Sequence, residues 1–177
     1  MTSMANSSHH ADAKRFVVLF HQPGIASKRT AKPHYDWMFE FGGQLLTWAT
    51  APTELGIESM QVGDPIEADC EPLPPHRLDY LDYEGEVSGG RGSVTRRLAG
   101  HYVLKQFGND LFHAELTWTQ QVRTGVEASR ASGTLASRVW VAQLSIYRRF
   151  FPDDDGRLAE SRESWLLGCA LGGAERK

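Results

Sequence analysis

The chain alternates between short stretches of apolar, β-branched and aromatic residues and clusters of turn-forming ones. Arg15-Phe-Val-Val-Leu-Phe-His21 is a first such stretch, and Gln22-Pro23-Gly24 ends it with a turn. A basic loop from Ile25 to Pro33 follows. In His34-Tyr-Asp-Trp-Met-Phe-Glu-Phe41, alternate positions differ in character: His34, Asp36, Met38 and Glu40 share one face, while Tyr35, Trp37, Phe39 and Phe41 share the other. That period of two predicts a half-buried strand. Gly42-Gly43 then predicts a hairpin turn, with Gln44–Thr50 as the returning strand.

Further along, Ala51 to Asp64 is turn-rich and reads as a loop. Ile66 to Glu71 suggests another strand, and Leu73 to Tyr80 an ordered loop continued by Asp82-Tyr-Glu-Gly85. Ser88-Gly-Gly-Arg-Gly92 forms a tight turn into a strand at Ser93–Arg97. Gly100 separates this strand from another at His101–Phe107, which Gly108-Asn109 joins to Leu111–Trp118. Short strands with intervening turn signals, and no strand–helix alternation, predict an all-β fold: a compact β-barrel, closed or partly open, with long loops. The pattern places a disordered tail at 1–14, the barrel at 15–119 and a C-terminal extension at 120–177. Within that extension, Leu135 to Phe151 suits an amphipathic helix or a strand around Val139-Trp140-Val141, and the last residues read as flexible.

Composition adds limits. With 177 residues, 41% of them apolar and 23% charged, the chain suits one domain with a core of its own. A net charge of −3 supplies no global attraction to nucleic acid, so local cations would have to provide it. The candidates are Lys28, Arg29 and Lys32 in the basic loop, and Arg91, Arg96 and Arg97 around the glycine-rich turn. Two distant cysteines, Cys70 and Cys169, suggest no disulfide framework and suit a reducing cytoplasm. There is no apolar run of about 18 residues to cross a membrane, and the polar start of the chain does not read as a signal peptide.

Candidate chemistry centres on His34-x-Asp36. Residues i and i+2 of a strand face the same way, and His21 ends a strand that would pair with this one. Two imidazoles and a carboxylate suit Mn²⁺, Zn²⁺ or Fe²⁺ and leave open positions for water or substrate. Hydrogen-bonded polar residues on a strand face would give the same pattern. A second cluster is His76-Arg-Leu-Asp-Tyr80 with Asp82 and Glu84. His76 suits general acid–base work or donation to a phosphate oxygen, and Tyr80 could reach the same anion. Asp79, Asp82 and Glu84 could orient the imidazole, or the whole cluster could be a structural loop. Ser88–Ser93 matches no nucleotide-binding motif, although Arg91 at its tip suits a phosphate contact. No Ser or Cys has the local context of a nucleophile.

The order of these pieces carries a resemblance. From Arg15 to Trp118 the chain shows His21, then His34-Tyr35-Asp36, Phe39-Glu40, a glycine turn and Leu46-x-Trp48-Ala49. His76-x-Leu78-Asp79-Tyr80 and Asp82-Tyr83-Glu84-Gly85 follow, with a second glycine-rich turn. This series resembles the 3′-phosphoesterase domain of DNA ligase D and its stand-alone bacterial relatives. The resemblance implies a β-barrel with a Mn²⁺-dependent site that trims 3′-phosphates and 3′-terminal ribonucleotides in DNA repair, with a ligase or polymerase as a separate partner. It assigns His21, His34 and Asp36 as metal ligands, His76 to the phosphate and Tyr80 beside it. Three departures stand out. Met38 occupies the position of a family arginine, Ala68 stands near where the family has a basic residue, and the segment from His21 to His34 is longer than usual.

Overall fold

The computed structural model describes residues 13–27, 32–52, 66–124, 134–152 and 158–172. It is all-β, with nine strands in one antiparallel sheet: β1 (Lys14–Pro23), β2 (His34–Phe41), β3 (Gln44–Thr50), β4 (Ile66–His76), β5 (Gly85–Val87), β6 (Gly92–Gly108), β7 (Leu111–Thr124), β8 (Thr134–Pro152) and β9 (Leu158–Leu171). The strand order is β1-β2-β3-β4-β9-β8-β7-β6-β5, and a further pairing of β1 with β6 closes a barrel-like ring of eight strands. A 3₁₀ turn at Leu78–Leu81 links β4 to β5. Among the described residues no helix is long and apolar enough to cross a membrane.

Two apolar clusters lie on opposite faces of the same wall. The larger fills the ring: Phe16, Trp37, Phe39, Trp48, Tyr102, Phe112, Leu144 and Leu167 are among its members, drawn from strands all round the sheet. Phe39 is fully buried, with the rings of Phe16, Trp48, Tyr102 and Phe112 at centroid distances of 4.7–6.1 Å. The smaller cluster lies on the outer face, where Val17, Leu19, Met38 and Leu45 meet Leu81, Val87 and Val94, with Tyr80 against them. Here the segment from Arg77 to Arg91 lies over the sheet as a flap. Burial on both faces explains the unbroken apolar run Phe16-Val-Val-Leu19, since a strand with one wet face would alternate.

The alternation in His34–Phe41 holds, and the structure corrects three other expectations. First, β4 continues through Pro72, Pro74 and Pro75 to His76. β9 pairs only with Ile66–Cys70, so these prolines fall where β4 has no β9 amide partner to lose. Second, Gly100 does not separate two strands but lies within the 17-residue β6. A Cβ there would come within 2.2 Å of the Thr117 carbonyl oxygen, so glycine permits β1, β6 and β7 to crowd together. Third, the sheet does not end near Thr119. β8 and β9 pair with each other and with β7 and β4, closing the ring where two long edges would otherwise stand open. Of the two forms open to Leu135–Phe151, the structure has the strand, with Ala142, Leu144 and Ile146 fully buried at alternate positions. Lys14, expected in the tail, instead begins β1; the rest of that tail to residue 12, most of the 51–64 loop, Lys28, Arg29 and the last residues from 173 lie outside the described residues.

Candidate metal centre

β1 and β2 pair in a register that sets His21 opposite His34 and Leu19 opposite Asp36. His21, His34 and Asp36 all project to the outer face, beyond the apolar cluster at Val17, Leu19 and Met38. Their side chains are 17%, 12% and 5% exposed. His21 Nδ1 lies 3.2 Å from His34 Nε2, and the Asp36 carboxylate lies 3.8 Å from the first and 3.6 Å from the second.

The remaining ring nitrogens fix the tautomers. His21 Nε2–H donates to the Arg91 carbonyl oxygen at 3.1 Å, and His34 Nδ1–H donates to the Lys32 carbonyl oxygen at 2.9 Å. A carbonyl oxygen can only accept, so in the neutral rings the two facing nitrogens both carry lone pairs. Two lone pairs and a carboxylate at these separations repel one another unless a proton or a metal ion lies among them. The three separations bracket the roughly 3.4 Å expected between neighbouring ligands of a tetrahedral ion with bonds of about 2.1 Å. Anchoring the far nitrogen of each histidine to a backbone carbonyl is also the usual outer support of metal-binding imidazoles. The donor set therefore fits a divalent transition metal.

The cluster lines a cleft of about 440 Å³ whose other walls include Met38, His76, Tyr80 and Arg91. His76, at the end of β4, is held by Thr47. The Thr47 hydroxyl donates to the Leu45 carbonyl at 3.2 Å, so its oxygen accepts from His76 Nδ1–H at 3.1 Å. Nε2 is then the ring nitrogen that can accept a proton in the neutral form. The Tyr80 ring packs edge-on to His76, with centroids 5.6 Å apart. Arg91 Nε donates to the Ser88 carbonyl at 2.8 Å, which stiffens the turn that carries it.

The fold thus gathers His21, His34, Asp36, His76, Tyr80 and Arg91 around one cleft, although 70 residues separate the first from the last. Among the described residues, Lys32, Arg96 and Arg97 do not line this cleft. Lys32 lines a neighbouring cleft with Cys70 and Glu71 and contributes its carbonyl to His34. The Arg97 guanidinium lies over the Phe20 ring at 5.1 Å, and the Arg96 amide donates to Glu84 at 2.6 Å. The acidic residues expected near His76 have other partners: Asp79 pairs with Arg77 at 4.0 Å, and Asp82 with Arg15. Sequence reasoning missed Thr47 and the Lys32 and Arg91 carbonyls. A lone threonine in Leu45-Leu46-Thr47-Trp48, on the face shared with Leu45, was the one available signal. Met38 is 1% exposed: it packs in the apolar cluster beneath the flap and gives the cleft an apolar wall there.

No family model matches the sequence, and no curated protein matches it significantly.

Proposed function

We propose that the chain is a metal-dependent 3′-phosphoesterase that hydrolyses phosphoesters at nucleic-acid 3′ ends, removing a 3′-phosphate or a 3′-terminal ribonucleotide. The observation that carries this reading is the convergence of three acceptors, from His21, His34 and Asp36, on a cleft that also holds His76 and Tyr80. The motif series shared with the ligase D phosphoesterase domain supports it, and makes a separate ligase or polymerase the natural partner.

His21 Nδ1, His34 Nε2 and an Asp36 oxygen would hold the metal, with Mn²⁺ the first choice and Zn²⁺ or another divalent transition metal as alternatives. Once bound, it supplies Lewis-acid polarisation of a phosphate oxygen. The protein's own groups do the rest. Thr47 fixes the His76 ring, so Nε2 can take a proton from the attacking water or return one to the leaving oxygen. The Tyr80 hydroxyl hydrogen-bonds a phosphate oxygen and orients the ester. Arg91, at the rim, adds the positive charge that the buried Met38 cannot.

Met38 favours a second reading, in which the cleft binds metal and nucleic acid without turnover. Losing one bidentate arginine contact costs a few kcal/mol of transition-state stabilisation, on the order of 10²–10³ in rate. A 5′-labelled primer–template ending in a 3′-phosphate or a single ribonucleotide separates the two readings. Mn²⁺-dependent processing that vanishes in His76→Ala establishes the enzyme. Tight Mn²⁺ binding without processing leaves the binding module.

A further inference from the structure

A second cleft of about 440 Å³ opens beside the first and shares Tyr80 and Arg91 with it. Its chemistry is different. The first cleft holds a buried carboxylate and three imidazoles, a set suited to a cation and an anion together. In the second, the lining charges are two guanidinium groups, of Arg77 and Arg91, and two carboxylates, of Asp79 and Glu86. These balance, so the cleft has no net pull on a phosphate.

What distinguishes it is aromatic surface. Tyr80 and Tyr83 stand nearly perpendicular, at 85° with centroids 6.2 Å apart, and form a corner in its wall. The Tyr83 hydroxyl donates to the Glu86 carbonyl, which fixes that ring across the flap, yet Tyr83 remains 40% exposed. A planar heteroaromatic group laid in this corner has its face on one ring and its edge on the other. Its polar edge meets both donors and acceptors.

We infer that the second cleft is the seat of a nucleobase, and that the unit recognised across the two clefts is a nucleoside phosphate. The phosphate lies in the metal cleft, the base lies in the tyrosine corner, and Arg91 stands at the boundary where the sugar joins them. This deepens the phosphoesterase reading and rests on it for the phosphate half. It adds where the terminal base is seated, without choosing among the bases, since stacking is tolerant of sequence.

The base half can be tested without turnover. The full chain is titrated in EDTA with adenosine and, separately, with ribose, following the tyrosine ring signals by NMR. Adenosine is expected to shift the Tyr80 and Tyr83 signals saturably and ribose to leave them unmoved. Tyr83→Ala should weaken adenosine binding by about fivefold or more, whereas Tyr83→Phe, which keeps the ring and loses only its tether to Glu86, should retain most of the binding. Mn²⁺ affinity should be the same in all three proteins, which also reports that the flap is folded. The inference is overturned if adenosine does not bind, if Tyr83→Ala binds it equally well, or if Tyr83→Phe loses binding as the alanine variant does. Hydrolysis of adenosine 3′-monophosphate and β-glycerol phosphate with Mn²⁺ is read separately. Turnover without adenosine binding removes the base seat and keeps the phosphoesterase, while adenosine binding without turnover does the reverse.

Discussion

The wall built from β1, β2 and β3 carries apolar side chains on both faces, but the two faces are made differently. Inside the ring, Phe16, Trp37, Phe39 and Trp48 belong to a cluster that reaches β6, β7, β8 and β9. Outside, Val17, Leu19, Met38 and Leu45 meet only the flap and the adjoining part of β6, and the polar residues begin where that cluster stops. A core that joins seven strands is lost only when the barrel unfolds. A core that holds one flap can open alone, and such local opening is what a binding site over it requires.

Substitution on each face should therefore give effects of different kinds. The largest is expected at Phe39. Phe39→Ala should lower global stability by about 3–5 kcal/mol, read as a reduced midpoint in urea, and Mn²⁺ binding should fall only as the folded fraction falls. Leu81→Ala, beneath the flap, should act locally, with about 2 kcal/mol less holding the flap closed. Amide exchange should then quicken across residues 77–91 and remain slow in β7 and β8; equal acceleration throughout would mean that the two clusters form one cooperative unit. At the site itself, His34→Ala should abolish tight Mn²⁺ binding in a spectroscopic titration while leaving the metal-free protein at least as stable as the wild type, because one of three mutually repelling acceptors is gone. Retained tight binding would show that the ion does not sit among these residues.

The smallest effect is expected at the flap's outer tether. The Arg15 guanidinium, donating to both Asp82 oxygens, holds that carboxyl below the ordinary aspartate value. A depressed carboxyl stabilises the fold above its unfolded pKa of about 3.9, and that contribution disappears as pH falls through the lower folded value. Both partners are well exposed, so Arg15→Ala should lower stability only slightly above about pH 4, by less still at high salt, and the difference from the wild type should fade as pH falls below that value.

Much of this was legible in the residues. The period-two pattern of His34–Phe41 is sufficient to put His34 and Asp36 on one face and Trp37 and Phe39 on the other, and pairing with β1 brings in His21. The pattern does not say which face is the inside. That depends on ring closure by β8 and β9, whose alternation at Ala142, Leu144 and Ile146 is flanked by residues equally suited to a helix. Nor do side-chain patterns show backbone carbonyls, so the groups fixing His21 and His34 were invisible to them. Met38 shows the same limit: by parity it belongs to the site face, and only the flap's packing shows it to be apolar core.

The pairing of β1 with β6 has a consequence for the order in which the molecule assembles. Phe16 must find Gly100, and His21 must find Val94, across more than 70 residues of intervening chain. Contacts so distant in sequence form slowly, because the loop between them must be ordered before they are made. The Arg91 carbonyl that orients His21 reaches it through that same seam, where the Gly24 amide also donates to Arg91. Competence to bind the ion should therefore arise late in refolding, in step with closure of the seam rather than with hairpin formation in β2 and β3. Stopped-flow Mn²⁺ capture during refolding would time that event.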